Sequence, residues 1–311
     1  MSRIHEALKR AEREKATPHA PEPVHEPAPP AAQAAAPAPA VQPVAAVQPP
    51  AAVPPAAVAA PAPAPGPVAP LRVVPPGTAL LECCRRSRWH GDTAKLFFLS
   101  ARHNTFATEQ LRTLRSRLYQ MRERRPLKTV LVTSAMPAEG KTFVCANLAY
   151  ALARQPERRV LLMDCDLRAA ALHTLLGAPG EPGLTAYLRG EAALEKILQR
   201  GTQENLFLIP GGRVVSNLNE LLAGGKLKAL VEQLAPLFDW ILLDTPAAGS
   251  VSDALRIAGW CDGALLVVEG GKTPYDKARR AATELPAKRL LGVVLNRTNP
   301  LDGASSVFST H

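Results

Sequence analysis

Residues 134–142 read SAMPAEGKT, and this short stretch decides the fold. It follows the apolar run KTVLVTS (Lys128–Ser134) and precedes FVCANLAYALA (Phe143–Ala153), an apolar run of helical length. From Ala135 the spacing is Ala-x4-Gly-Lys-Thr, that of a Walker A phosphate loop with alanine at the first glycine position. A buried strand, a turn and a helix in that order curl successive main-chain N–H groups around phosphate oxygens. They do so at a helix N-terminus, where the dipole favours anions. The expected nucleotide-binding set is Ala135, Met136, Pro137, Ala138, Glu139, Gly140, Lys141, Thr142 and Phe143. Lys141 is placed to bridge the β- and γ-phosphates and the Thr142 hydroxyl to ligate Mg²⁺.

Outward from the loop, strand and helix signals alternate. Thr105–Glu123 reads as a helix. Arg159–Met163 (RVLLM), Leu206–Ile209, Trp240–Leu243 (WILL), Ala264–Val268 (ALLVV) and Leu290–Leu295 (LLGVVL) read as strands. Leu218–Leu237, Ser252–Gly259 and Pro274–Leu285 read as helices between them. Short apolar strands alternating with helices predict an α/β fold: a doubly wound, mostly parallel sheet with helices on both faces. In such sheets the ligand crevice lies at the carboxyl ends of the strands. RVLLM ends in Asp164-Cys165-Asp166 and WILL in Asp244-Thr245-Pro246. Asp244 has the position of a Walker B metal carboxylate. Asp164 and Asp166 set two acids one residue apart, suited to one holding Mg²⁺ while the other accepts a proton from the incoming nucleophile.

Composition sets the boundaries. Of 31 prolines, 20 fall between Pro18 and Pro76, and no charged residue occurs from Pro27 to Leu71. Proline at that density breaks the helix a membrane span requires, so residues 17–80 read as a disordered Pro/Ala-rich linker. Residues 1–16 form a charged segment with Ile4, Ala7, Leu8 and Ala11 at helical spacing, an amphipathic docking helix with no secretory signal. The globular domain is expected over residues 81–300 and a flexible tail over 301–311. Five cysteines without a CxxC pair read as reduced thiols. Residues 82–128 hold twelve Lys/Arg against four Asp/Glu, which is +8 of the chain's +10. So localised a surplus points to one surface with an anionic partner, rather than to general nucleic-acid binding.

Together, SAMPAEGKT, VLLMDCDLR with His173 and Gly177 following, and FDWILLDTPA with Ser252-Asp253-Ala254 resemble the bacterial tyrosine kinases of capsule and exopolysaccharide biosynthesis. These are P-loop ATPases related to the partition and division-site ATPases. The resemblance covers roughly residues 100–297 and includes Pro182-Gly183-Leu184-Thr185 and Asn217-Leu-Asn-Glu220. It implies that Lys141 and Thr142 hold ATP and Mg²⁺ and that Asp164 and Asp166 form the motif used in tyrosine phosphorylation. Asp166 and Asp244 would then contribute to the metal site, and Asn296 would meet adenine through its amide. It also implies ring assembly through Glu109, Arg112 and Arg115 (E-x-x-R-x-x-R), whose spacing otherwise describes a solvated charged face. The basic stretch from Arg112 to Lys128 would pair across subunits or lie against anionic lipid. An integral-membrane polysaccharide copolymerase would be the activating partner, with the chain cytoplasmic and peripheral to the membrane through it.

Three departures from the pattern matter. No tyrosine follows Tyr275, so phosphorylation is expected on another protein's tyrosine and not on a terminal cluster. Ala138 stands where relatives carry glycine, at a cost of ~1 kcal/mol if that residue needs positive φ. Ala247 replaces a second proline after Asp244. The competing readings are a partition- or division-type ATPase switch and an ATP-bound regulator of polysaccharide export without kinase activity. The switch class carries an extra lysine early in its loop, and Ser134–Glu139 contains none.

Overall fold

The computed structural model describes residues 77–99, 106–215, 218–223, 225–249 and 252–298, with the backbone of a strand at Phe308–Thr310. The expected docking helix, the linker up to residue 76, and Asn217 lie outside the described residues. In chain order the elements are α1 (Gly77–Cys83), β1 (Arg85–Arg86), α2 (Phe106–Arg124), β2 (Thr129–Ser134), α3 (Lys141–Ala153) and β3 (Val160–Asp164). Next come α4 (Leu172–Leu176), α5 (Leu184–Leu188), α6 (Leu194–Ile197), β4 (Gln199–Arg200), β5 (Leu206–Ile209), α7 (Leu218–Ala223) and α8 (Lys226–Leu234). The chain continues through β6 (Trp240–Asp244), α9 (Ser252–Ala258), β7 (Gly263–Glu269), α10 (Tyr275–Glu284), β8 (Leu290–Asn296) and β9 (Phe308–Thr310).

The strands form one sheet in the order β1-β4-β5-β3-β6-β2-β7-β8-β9. All pairings from β5 through β8 are parallel, while β4–β5 and β8–β9 are antiparallel. Each central strand is buried on both faces, which is why the strands read as continuous apolar runs. Alternate residues feed two cores. Leu131, Leu161 and Met163 pack on one side, and Val130, Val132, Val160 and Leu162 on the other. Helix α3 is buried from Val144 to Ala153 because it is trapped between the sheet and α2, which presents Leu114 and Leu118.

Differences from the sequence reading are local. The helix expected over Leu218–Leu237 is two helices, separated at Gly225, whose φ of 72° belongs to the left-handed region. Four strands extend one residue beyond their apolar runs, so that Asp164, Asp244, Glu269 and Asn296 are themselves strand-terminal residues. Helix α1 begins inside the expected linker and buries Leu80 and Leu81. Within the expected tail, β9 pairs with β8. Among the described residues no helix is long and apolar enough to cross a membrane.

Candidate functional site

The phosphate loop leaves β2 at Ser134 and enters α3 at Lys141. Two left-handed residues shape it: Ala138 at φ 66° and Gly140 at φ 88°. The Ala138 value meets the condition set by the sequence and puts a strained alanine in the loop. At that φ a side chain on Gly140 would be strained, and its Cβ would lie 2.2 Å from Asn296 Nδ2 and displace that amide. Glu139 turns its buried carboxylate into the protein. It accepts the Met136 N–H at 2.8 Å and the hydroxyl of Thr273, while its carbonyl accepts Asn296 Nδ2 at 2.8 Å. Burial pushes the Glu139 carboxyl above its ordinary range. Glu139 therefore braces the loop with its side chain, and in this structure the Asn296 amide braces it too.

Five functional side chains converge where β3 and β6 end beside α3. Asp164 and Asp244 are register partners on adjacent parallel strands. Thr142 donates its hydroxyl to Asp244 Oδ2 at 2.6 Å, and Lys141 Nζ lies 2.7 Å from Asp166 Oδ2. Asp244 is fully buried, and its Oδ1 accepts no hydrogen bond from the described residues. A buried orphan carboxylate oxygen beside a hydroxyl is a fit for a hard cation. No group of three His, Cys, Asp or Glu side chains is arranged to hold a metal among the described residues. Mg²⁺ keeps several waters and takes one or two carboxylates alongside substrate phosphates, a donor need that Asp244 and Thr142 fit.

Asp164 differs from the other two acids. Its Oδ2 accepts the N–H groups of Ala171 and Leu172 at 3.0 and 3.1 Å, and its Oδ1 accepts the Asp166 N–H at 3.2 Å. The side chain thus folds the segment from Asp164 to Leu172 and carries Asp166 into the crevice. Burial, then the charge of Asp244, raises the Asp164 carboxyl. Burial also raises Asp244, against the pull of Lys141 and the Thr142 bond. Burial works against the Lys141 ammonium, but Asp244 and Asp166 outweigh it and hold the lysine above its usual range.

A cavity of about 870 Å³ opens at the N-terminus of α3. Gly140, Lys141, Thr142, Phe143 and Asn296 all line it. The structure thus brings the phosphate loop, Asn296 and the strand-end acids together, and it sets Glu109, Arg112 and Arg115 apart on α2. Arg112 pairs with Glu109 on an exposed face. Arg115 instead donates to the Ala151 carbonyl of α3 at 2.9 Å. Arg122, Arg125 and Lys128 likewise donate to the carbonyls of Asp239, Lys288 and Ala235. Much of the basic stretch expected to face another subunit or a membrane is therefore spent on the chain's own main chain.

Sequence reasoning missed Thr273, 134 positions beyond Glu139, because nothing local marks it. It also missed Asn147, a fully buried amide within α3; a lone amide in CANLAYALA was a visible signal. Asp253, buried in the first turn of α9, holds Arg168 at 3.3 Å and ties the Asp166 loop to the segment after β6.

Residues 130–307 match the CbiA family of CobQ/CobB/MinD/ParA nucleotide binding domains. The chain is 34% identical over 191 residues to the tyrosine-protein kinase YwqD of Bacillus subtilis, covering 61% of this chain and 80% of that one. It is 32% identical over 206 residues to the succinoglycan biosynthesis transport protein ExoP of Rhizobium meliloti, covering 65% of this chain and 26% of that protein. The kinase domain of the Escherichia coli tyrosine kinase ETK superposes with a TM-score of 0.57 at 30% identity, covering 61% of this chain and 77% of that one. With the Walker-type loop, the paired strand-end acids and these likenesses together, the chain belongs to the CobQ/CobB/MinD/ParA nucleotide-binding family and, within it, to the bacterial tyrosine kinases.

Proposed function

We propose that this chain transfers the γ-phosphoryl group of ATP to tyrosine on a protein, and that it does so in the service of exopolysaccharide or capsule synthesis and export. The observation that carries the reading is the convergence of Lys141, Thr142, Asp166 and Asp244 on one crevice, in a chain similar over most of its length to a tyrosine-protein kinase. Bound Mg²⁺ would neutralise charge building on the phosphate oxygens, and Thr142 with Asp244 would hold it. Lys141 would turn from Asp166 to the β- and γ-phosphates. That exchange frees Asp166 Oδ2 to face the metal or to take the phenolic proton as the tyrosine oxygen attacks phosphorus and the bond to the ADP oxygen breaks. Asp164, with both oxygens committed to main-chain N–H groups, would position Asp166 and not touch the substrate.

A substrate tyrosine on another protein suits the chain's own tyrosines. Tyr150 is buried on α3, its hydroxyl pushed up to about 12 by burial. Tyr119 packs edge-on against Trp240, with centroids 5.4 Å apart. The likeness to one part of ExoP supports a membrane copolymerase as activating partner, through which this chain would act at the inner face of the membrane. Homo-oligomer formation through the Arg112 face belongs to the same proposal. The test is labelled ATP with the pure protein and with Lys141→Met, reading phosphotyrosine and free phosphate in one tube. Lys141→Met should abolish both with its fold intact by circular dichroism. Turnover retained by the variant would refute the phosphate-loop assignment.

A further inference from the structure

We propose that Phe97, which precedes the family-matched residues 130–307, forms with Phe143 an aromatic wall on which the purine base of the nucleotide stacks. The inference rests on the phosphate-loop reading and adds a base subsite built from a segment outside that match.

The cavity at the head of α3 has two chemically different ends. Gly140, Lys141 and Thr142 supply the phosphate end, whereas Phe97, Phe143 and Leu111 line an apolar one. A single ligand with anionic groups at one end and a flat apolar ring at the other satisfies both, and the volume is in the range of small-molecule sites. Phe97 and Phe143 meet edge to face, with centroids 5.3 Å apart and planes at 82°. In that arrangement the face of one ring is not consumed by the pair, and a base can lie on it.

The wall is held in place by an anchor of its own. Leu96 and Phe98 are buried in the core while Phe97 between them stays half-buried at the cavity. Asn147, fully buried on α3, accepts the Phe97 N–H at 3.0 Å and donates to the carbonyls of Lys95 and Phe143 at 2.9 and 3.0 Å. The amide therefore fixes the segment carrying Phe97 to the same helix that begins with Lys141 and Thr142. All three hydrogen-bonding positions of the amide used are internal, so Asn147 is a positioning residue and Phe97 the one that meets ligand. A substrate phenol is the other flat ring to consider. The base is favoured because Asn296 and the phosphate loop share the cavity with Phe97.

Calorimetry on the full chain with Mg²⁺ distinguishes the possibilities, using ATP and inorganic tripolyphosphate as the two probes. Phe97→Ala and Phe97→Leu should bind ATP roughly five- to a hundredfold more weakly, the loss expected for one base–aromatic stack. Both should bind tripolyphosphate like the wild type, and Phe97→Trp should restore ATP binding. Unchanged ATP affinity in the alanine and leucine variants, or an equal loss for both probes, would overturn the proposal. Wild-type protein that binds neither probe would instead refute the phosphate-loop reading itself.

Discussion

Asp244→Asn should stabilise the metal-free protein while removing its activity. Asp244 closes β6 in full burial, and that burial is the main cause that raises its carboxyl, with Asp166 adding like charge. Keeping the Asp244 charge there costs about 3 kcal/mol. Two losses oppose the gain from removing that charge. The bond from Thr142 becomes a neutral one, at about 1 kcal/mol, and Lys141 loses an attraction of similar order while keeping Asp166 at 2.7 Å. Roughly 1 kcal/mol of stabilisation remains, a rise of about 2–4 °C in melting temperature for a domain of this size.

The stabilisation depends on pH. Burial raises the Asp244 carboxyl above its ordinary value, so the folded state holds this proton more tightly than the unfolded chain does. Its destabilising contribution is absent at low pH and grows as pH rises through and beyond the ordinary carboxyl range. The assay is thermal or urea unfolding of both proteins in chelator across that range, with ATP turnover measured separately in Mg²⁺. Asp244→Asn should gain stability at neutral pH, and the gain should shrink on acidification. A variant less stable than wild type at neutral pH, or a gain indifferent to pH, would refute the reading that the buried Asp244 charge destabilises the site.

Two further outcomes follow from the loop and from α2. Ala138→Gly should raise the urea midpoint slightly. Relief of a left-handed alanine is worth about 1–2 kcal/mol, against about 0.4–1 kcal/mol for the greater freedom of glycine in the unfolded chain; a lowered midpoint would mean the alanine is unstrained. Arg115→Ala should cost about 1 kcal/mol in unfolding experiments by freeing the Ala151 carbonyl. Arg112→Ala, whose pair with Glu109 is exposed, should leave stability within about 0.5 kcal/mol and lower the mass in light scattering. An unchanged mass would return that face to solvent.

The parts of the fold and site that could be read from sequence are those whose physics is local. KTVLVTS is apolar throughout because β2 is covered on both faces, and SAMPAEGKT announces its loop by glycine and lysine spacing. The acids were found because they close apolar strands. Their division of labour was not legible, since only the fold of residues 164–172 shows that Asp164 spends its oxygens on Ala171, Leu172 and Asp166. Thr273 and Asn147 act on partners distant in sequence, and a side chain's distant partner leaves no periodic trace. The short elements α1, β1 and β4 were missed for another reason: they are set by pairing and burial rather than by propensity.

The basic stretch shows how much of a local charge surplus a chain can turn on itself. A surplus of +8 over residues 82–128 reads as a surface awaiting anions. Yet Arg115, Arg122, Arg125 and Lys128 each reach a main-chain carbonyl, and Arg122 also lies 5.0 Å over the Trp240 ring. Arg115 and Arg122 fasten α2 to α3 and to the start of β6, while Arg125 and Lys128 tie the segment after α2 to the carbonyls of Lys288 and Ala235. One consequence concerns function directly. Arg115 holds the last turn of the helix whose first turn carries Lys141 and Thr142, and Arg112 lies one turn away on the exposed side of α2. If the proposed assembly uses Arg112, its neighbour would bear on α2, which Arg115 ties to the helix that carries Lys141 and Thr142.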